Sequence, residues 1–335
     1  MASSPTIQYL GQYVGDRKIF PPGAVTARLP QLLASSVVRG TQLGESHGGL
    51  YLIDLEAGRF ELKLDWNRSD IDLSGRGGDR GLRGIAFHDS HILVAANAQL
   101  LVLDQAFQVL ETFSNPFLQH CHEIHVAGDH AYLTSTGFDS LLAFDLNAKR
   151  FVHGFYLGQD REALRMRYFD PAAVAGPPPS RRFHLNSVHA SGTGLWFSGL
   201  HTPGLLHTDG RDLKLALALP PGTHNAQPHG NGVLYNDTAA ERICFQTQGQ
   251  LIQLPLPRFP RDQILNIDRF ESSVARAGFG RGLCVLPNGW IAAGCSPSTI
   301  AIYDLQARRY VTQINLSMDV RNAIHGLAVW PYGAT

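Results

Sequence analysis

The sequence has no run of about 18 apolar residues, so no membrane-crossing helix is expected. It also lacks charge of one sign. Lys and Arg number 28, Asp and Glu number 28, and charged residues make up only 17% of the chain, which excludes a polybasic surface and gives no reason to expect a nucleic-acid or membrane partner. Cysteine is scarce. Cys121, Cys244, Cys284 and Cys295 show no CxxC spacing and read as reduced, buried thiols rather than a disulfide framework. The opening residues, MASSPTIQYLGQYVGDRKIF, have no basic segment leading into an apolar one, so a cytoplasmic location is expected. No GxSxG is present, and GRGGDRGLRG (75–84) lacks the order of a phosphate-binding loop and leads into a strand, so serine nucleophiles and nucleotide cradles have no support.

What the chain does have is turns and histidines: Gly 34, Pro 19 and His 15 in 335 residues. The turns repeat. Five short apolar segments end in an Asp followed by turn residues, in YLIDLEAGRF (Asp54), LVLDQAFQV (Asp104), LAFDLNAKRF (Asp145), LLHTDGRDL (Asp209) and AIYDLQARRY (Asp304), where the short acceptor closes a hairpin. RICFQTQGQLIQL does the same with Gly249. A second register begins at Arg83 (RGIAF), His122 (HEIHV), His184 (HLNSV), His224 (HNAQP), Arg281 (RGLCV) and His325 (HGLAV), each opening a segment of largely period-two apolar alternation. Strands near 32–38, 49–54 and 59–66 lack a first strand, and the one at 325–329 lacks partners. The two ends are therefore predicted to complete one sheet. The reading is all-β: a single-domain six-bladed β-propeller of four-stranded antiparallel blades, closed by N- and C-terminal strands in one blade. Two surplus segments, about 158–183 and 257–280, are expected to carry a short helix and a loop each and to cap the top face.

In a propeller, the first residue of each inner strand faces the axis. The register then predicts a ring of His325, Arg83, His122, His184, His224 and Arg281. No apolar core asks for such residues, because desolvating them is costly. Neutral imidazole is a common ligand of divalent metals, which makes His122, His184 and His224 predicted ligands, with His325 a fourth ligand or a base. Arg83 and Arg281, with Arg80 at the rim, predict a small carboxylate- or phosphate-bearing substrate. Loops on the same face add His47 and His201 as further possible bases, and Glu123, Asp139, Asp237 and Glu241 as carboxylates that could orient the imidazoles. For each carboxylate, a role as turn acceptor or solvated charge is the alternative. The competing readings of the ring are a metal-free anion pocket and hydrogen bonding between blades. His125 is expected to pack between blades. His189 and His229 fall near the far-side turns, and Trp196, Trp290 and Trp330 read as packing.

At GRGGDRGLRGIAF, CHEI, STGFDS, HLNSV and GRGLCVL the chain resembles an uncharacterised bacterial family of propeller proteins. In architecture it is similar to the six-bladed strictosidine synthase-like and gluconolactonase-like proteins, whose acidic calcium site is not matched here. By its axial histidines it is similar to carotenoid-cleavage oxygenases, and by a His-rich site for an acidic substrate to oligogalacturonate lyases. These resemblances imply a metal-dependent enzyme, foremost an Fe(II) oxygenase, with Mn, Zn and Cu as alternative metals. A Zn or Mn lyase or hydrolase, and a non-catalytic binder of an anionic ligand or peptide, are the other readings.

Overall fold

A computed structural model gives the architecture for residues 29–74, 80–161 and 163–333. The N-terminal segment 1–20 and residues 75–79 of GRGGDRGLRG lie outside the described residues. The fold is a six-bladed β-propeller, as the repeats predict. Blade 1 pairs Asn322–Val329 with Gln31–Val38, followed by Gly49–Asp54 and Arg59–Asp65. Both ends of the described chain thus meet in one sheet. Blade 2 runs Ile85–His88, His91–Ala96, Gln99–Leu103, Val109–Ser114; blade 3 runs Ile124–Ala127, His130–Ser135, Ser140–Asp145, Arg150–Asp160 and adds Ala163–Phe169. Blade 4 comprises Leu185–Ser191, Gly194–Gly199, Gly204–Thr208 and Leu213–Ala218. Blade 5 comprises Thr223–His229, Gly232–Asp237, Arg242–Gln246 and Leu251–Pro255; blade 6 comprises Leu283–Val285, Ile291–Cys295, Thr299–Asp304 and Arg309–Asn315.

The Asp turns form as expected. Asp54 accepts from Ala57 N at 2.8 Å, Asp104 from Gln108 N at 2.8 Å, Asp145 from Ala148 N at 2.8 Å, Asp209 from Asp212 N at 2.9 Å and Asp304 from Ala307 N at 2.9 Å. These backbone donors hold the Asp145 and Asp209 carboxyls below the usual carboxylate range. The second and third strands of a blade are covered on both faces, which is why HILVAA and IAAGC are continuously apolar rather than alternating.

The chain divides into two compact units, residues 1–82, 241–243 and 252–335 in the first, 83–240 and 244–251 in the second. In the first, Leu32, Ala34 and Ile53 of blade 1 pack with Ile300 and Ile302 of blade 6. In the second, Leu93 and Leu100 of blade 2 meet Leu133 and Phe144 of blade 3, and Leu141 and Phe155 of blade 3 meet Leu185 and Phe197 of blade 4. Each buried Leu or Phe of this kind contributes about 1.5–3 kcal/mol against exposure, so the blades are held face to face mainly by aliphatic burial.

The two surplus segments differ from the expectation. Residues 158–169 are not a cap: the fourth strand of blade 3 continues to Asp160 and turns back as a fifth strand, paired from Asp160↔Ala163 to Gly154↔Phe169. Alternation of exposed Arg165 and Arg167 with half-covered Leu164 and Met166 is an edge-strand pattern, not a helical one. Only 170–183 remains a loop. Residues 257–280 contain one 3₁₀ turn, Arg261–Gln263, and enclose a small apolar cluster of Ile264, Ala275 and Val320.

His125 packs between blades, as expected. Its ring lies 4.2 Å from that of His189 in blade 4, and its Nδ1 accepts from Ala190 N at 3.2 Å. Burial, then the neighbouring His189, pushes His125 down to about 4. The unfolded chain takes up this proton near the ordinary value of about 6.5. Stability from the neutral ring is therefore fully present above that value and lost as pH falls towards 4, by up to about 3 kcal/mol. His125→Gln keeps an acceptor for Ala190 N, and urea unfolding at stepped pH should show a flatter decline between pH 6.5 and 4.5 than the native sequence. Equal slopes in the two proteins would refute this.

Candidate functional site

His122 and His224 stand just before or at the start of their inner strands in blades 3 and 5, within the second unit. Their imidazoles are fixed by the same device. His122 Nδ1 lies 2.7 Å from His120 O and 2.8 Å from Thr136 Oγ1; His224 Nδ1 lies 3.1 Å from Gly222 O and 2.9 Å from Thr238 Oγ1. A carbonyl oxygen can only accept, so Nδ1 carries the proton in both rings and Nε2 keeps the lone pair of the neutral form. The Thr136 hydroxyl donates onward to Leu185 O, which leaves its own lone pair for the His122 Nδ1–H. Both threonines follow directly on the second strand of their blade, so one position of the repeat orients two imidazoles.

His184, at the equivalent position of blade 4, is held differently. Its backbone adopts φ +52°, a left-handed conformation costing about 1–2 kcal/mol for a non-glycine residue. Asp139 offsets that cost by accepting from His184 N at 2.7 Å, Phe183 N at 3.1 Å and Ser180 Oγ at 2.6 Å. The His184 ring centroid lies 5.3 Å from that of His122.

The residues that follow two of these histidines meet inside this unit. Asn225 Nδ2 donates to Glu123 Oε2 at 2.7 Å although 102 residues separate them, and Asn236 Nδ2 donates to Asn225 Oδ1 at 3.1 Å. The residues after His122 and His224 thus meet across blade 4. Gly84, directly after Arg83, donates its N–H to His122 O at 3.1 Å, and a Cβ there would stand 2.6 Å from Ile124 N, so the arrival of blade 2 beside His122 requires glycine. Arg83 itself is buried.

The first unit carries Arg281, just before the inner strand Leu283–Val285, and His325, within Asn322–Val329; both are buried, and a Cβ at Gly282 would stand 3.4 Å from the carbonyl carbon of Gly326. Arg281 lies 4.7 Å over the ring of Phe279.

Several sequence expectations acquire other roles here. His47 is fully buried, with Nδ1 2.7 Å from Thr41 Oγ1 and Nε2 3.1 Å from Arg68 O, so its ring fastens its own loop and is not placed as a base. Arg80 is 1% exposed and donates to Thr41 O at 2.9 and 2.7 Å and to Leu73 O at 2.7 Å; it anchors the same loop instead of lining a rim. Of the four carboxylates, Asp139 orients the His184 backbone and Glu123 holds Asn225 and Ile124 N. Asp237 closes its own turn through Ala240 N at 3.0 Å. Glu241 pairs with Arg258 at 3.2 Å and Arg276 at 3.7 Å. His201 has an exposed side chain, on a turn whose N–H donates to Phe183 O at 3.1 Å, so it shares the loop layer of His184.

Thr136 and Thr238 went unrecognised in the sequence, although each lies 14 residues after its histidine and that spacing is a usable signal. Arg39 and Arg276 had no such signal. Burial raises the thiols of Cys121, Cys284 and Cys295 to about 12, so none is a nucleophile at neutral pH. Among the described residues, no three of His, Cys, Asp and Glu form a group that could hold a metal ion, and no helix is long and apolar enough to cross a membrane. A groove of about 460 Å³ along blades 3 and 4, walled by Leu141, Phe155, Ala190 and Leu195, shares no residue with the imidazoles.

No family model and no curated protein matches the chain. Among solved structures it is similar to a chain of a nidogen/laminin complex, with TM-score 0.56 and 10% identity over 89% of this chain and 97% of that one. It is also similar to a protein of unknown function from Bacteroides caccae, with TM-score 0.54 and 12% identity over 89% and 98%. A streptogramin B lyase aligns with TM-score 0.41 and 14% identity over 68% and 70%. At these identities the likeness shows the propeller fold alone, and that of the lyase carries no argument.

If the hydroxyls set the tautomers, Thr136→Val should reduce the Nδ1–H population of His122 and leave His224 unchanged, with Thr238→Val doing the reverse. Long-range ¹H–¹⁵N spectra of the imidazoles read this directly. Unaltered tautomers in both variants would place the control wholly in the carbonyls of His120 and Gly222.

Proposed function

We propose that the chain is a metal-dependent enzyme acting on a small acidic substrate at the imidazoles of His122, His184 and His224. The observation that carries this is the pinned Nδ1–H of His122 and His224. Metal-ligating histidines characteristically donate the other ring N–H to a carbonyl or similar acceptor, which fixes the ring and raises the basicity of the ligating nitrogen. Two imidazoles prepared in this way, with a third ring 5.3 Å from one of them, form a donor set suited to Zn, Mn, Fe or Cu. No closed group stands among the described residues, so ligation requires the imidazoles to draw together. A bound divalent ion would polarise a substrate oxygen or activate a water. Arg83, buried beside the His122 backbone, takes the substrate's carboxylate or phosphate. His201 is available from the loop layer as a base.

Metal identity divides the chemistry. Stoichiometric iron supports the oxygenase reading, while Zn or Mn supports a lyase or hydrolase, in which proton transfer by a histidine accompanies substrate polarisation. Elemental analysis of the purified full chain should find about one equivalent of metal, and His122→Ala, His184→Ala and His224→Ala should each lower occupancy at least tenfold at limiting metal. Full occupancy in all three variants overturns the ligand assignment. A metal-free chain that also binds no added divalent ion leaves the non-catalytic anion binder as the function.

A further inference from the structure

Within the first unit, three guanidiniums gather on one phenyl ring. The Cζ atoms of Arg39, Arg276 and Arg281 lie 5.0, 4.9 and 4.7 Å from the centroid of Phe279. No two can then be more than about 10 Å apart, which is about one Debye length at 0.1 M salt. Three like charges at this spacing repel one another, and most strongly where water is excluded; Arg39 and Arg281 are only 7% and 8% exposed. The phenyl ring offsets part of this, since each exposed cation–π contact is worth about 0.5–1 kcal/mol and a desolvated one more. Glu241 offsets another part through Arg276, but it is shared with Arg258.

The cluster is built into the frame. Gly278 N donates to Ser296 O at 2.8 Å, Phe279 N to Ser296 Oγ at 3.3 Å, and Ser296 Oγ to Arg276 O at 2.5 Å, so the RAGFGRG segment is bolted to the loop after the second strand of blade 6. Gly278 has φ +71° and a Cβ there would stand 2.6 Å from Glu241 Cδ, so this close approach of the carboxylate requires glycine. Arg39 extends from the end of Gln31–Val38, its N–H donating to Arg321 O at 3.0 Å. Two separate segments therefore deliver three positive charges to one ring. The burial of Arg39 and Arg281 suits a compact ligand, not the flat surface of a macromolecule.

We propose that Arg39, Arg276 and Arg281, arrayed on Phe279, form a binding site for a small-molecule anion, a carboxylate or a phosphate. Guanidinium planes match both groups bidentately, so three of them on one ring bring many N–H donors to one compact oxyanion. The site needs no metal and stands independently of the imidazole reading.

The test uses the full chain treated with a chelator, with inorganic phosphate and citrate as probes and sodium chloride of equal ionic strength as reference. Either or both probes should raise the thermal unfolding midpoint at millimolar concentration where chloride does not, and calorimetry should show saturable binding; the probe that binds tells phosphate from carboxylate chemistry. Arg39→Gln and Arg281→Gln should each weaken binding at least tenfold, and Arg276→Gln, at a more exposed side chain that leaves the frame intact, at least fivefold. Arg59→Gln, at an exposed arginine elsewhere in the unit, should change nothing. His122→Ala should leave anion binding intact, so failure of the metal site and failure of this site are read separately. The proposal is overturned if chloride matches both probes in the native protein, or if Arg276→Gln binds as the native protein does.

Discussion

The propeller depends on one antiparallel pairing, that of Gln31–Val38 with Asn322–Val329. An open sheet leaves unpaired edges, and a propeller suppresses them by radial repetition and by completing a blade from both ends of the chain. Here the joined strands are also among the most buried, with Leu32, Leu33, Ala34 and Ile324 fully covered, so closure is secured by apolar packing as well as by the ladder. The same pairing fixes the positions of Arg39 and His325, since both extend from these two strands. Stability and the placement of chemistry are thus one constraint.

Legibility in the sequence followed physical locality. The Asp turns could be read because each is complete within a few residues: an acceptor side chain and the amides it closes on are neighbours in the chain. The inner-strand register could be read because a segment of largely alternating apolar residues opens each blade, and the boundaries 49–54 and 59–65 fell within a residue of the expected ones. His47 and Arg80 were misjudged for the opposite reason. A buried polar side chain that satisfies carbonyls of its own loop looks, as a letter, the same as one aimed into a site; only the distances to Thr41 O, Leu73 O and Arg68 O separate the two. The strand Ala163–Phe169 was hidden because an outer edge exposes one face and offers too little apolar contrast to distinguish it from an insertion.

The Phe279 cluster was hidden more deeply. Arg281 belongs to the repeat, but Arg39 stands at the end of a second strand and Arg276 within an excursion, so no common register links them. Repetition reports what equivalent positions share. It is silent on what non-equivalent loops bring to one place, and those loops are where propellers of one architecture differ.

The three imidazoles of the second unit also differ in how they are held, and this bears on what they can do. His122 and His224 are anchored through the ring, by a carbonyl two residues back and a hydroxyl 14 residues on, and the backbone of His184 is anchored by Asp139. Leu200 follows the second strand of blade 4 where Thr136 and Thr238 follow those of blades 3 and 5, so that strand end brings no hydroxyl to His184. A ring anchored at Nδ1 resists rotation about its χ angles. Two rings held by one repeated device keep their Nε2 atoms in fixed positions, so what they bind must fit that spacing instead of resetting it.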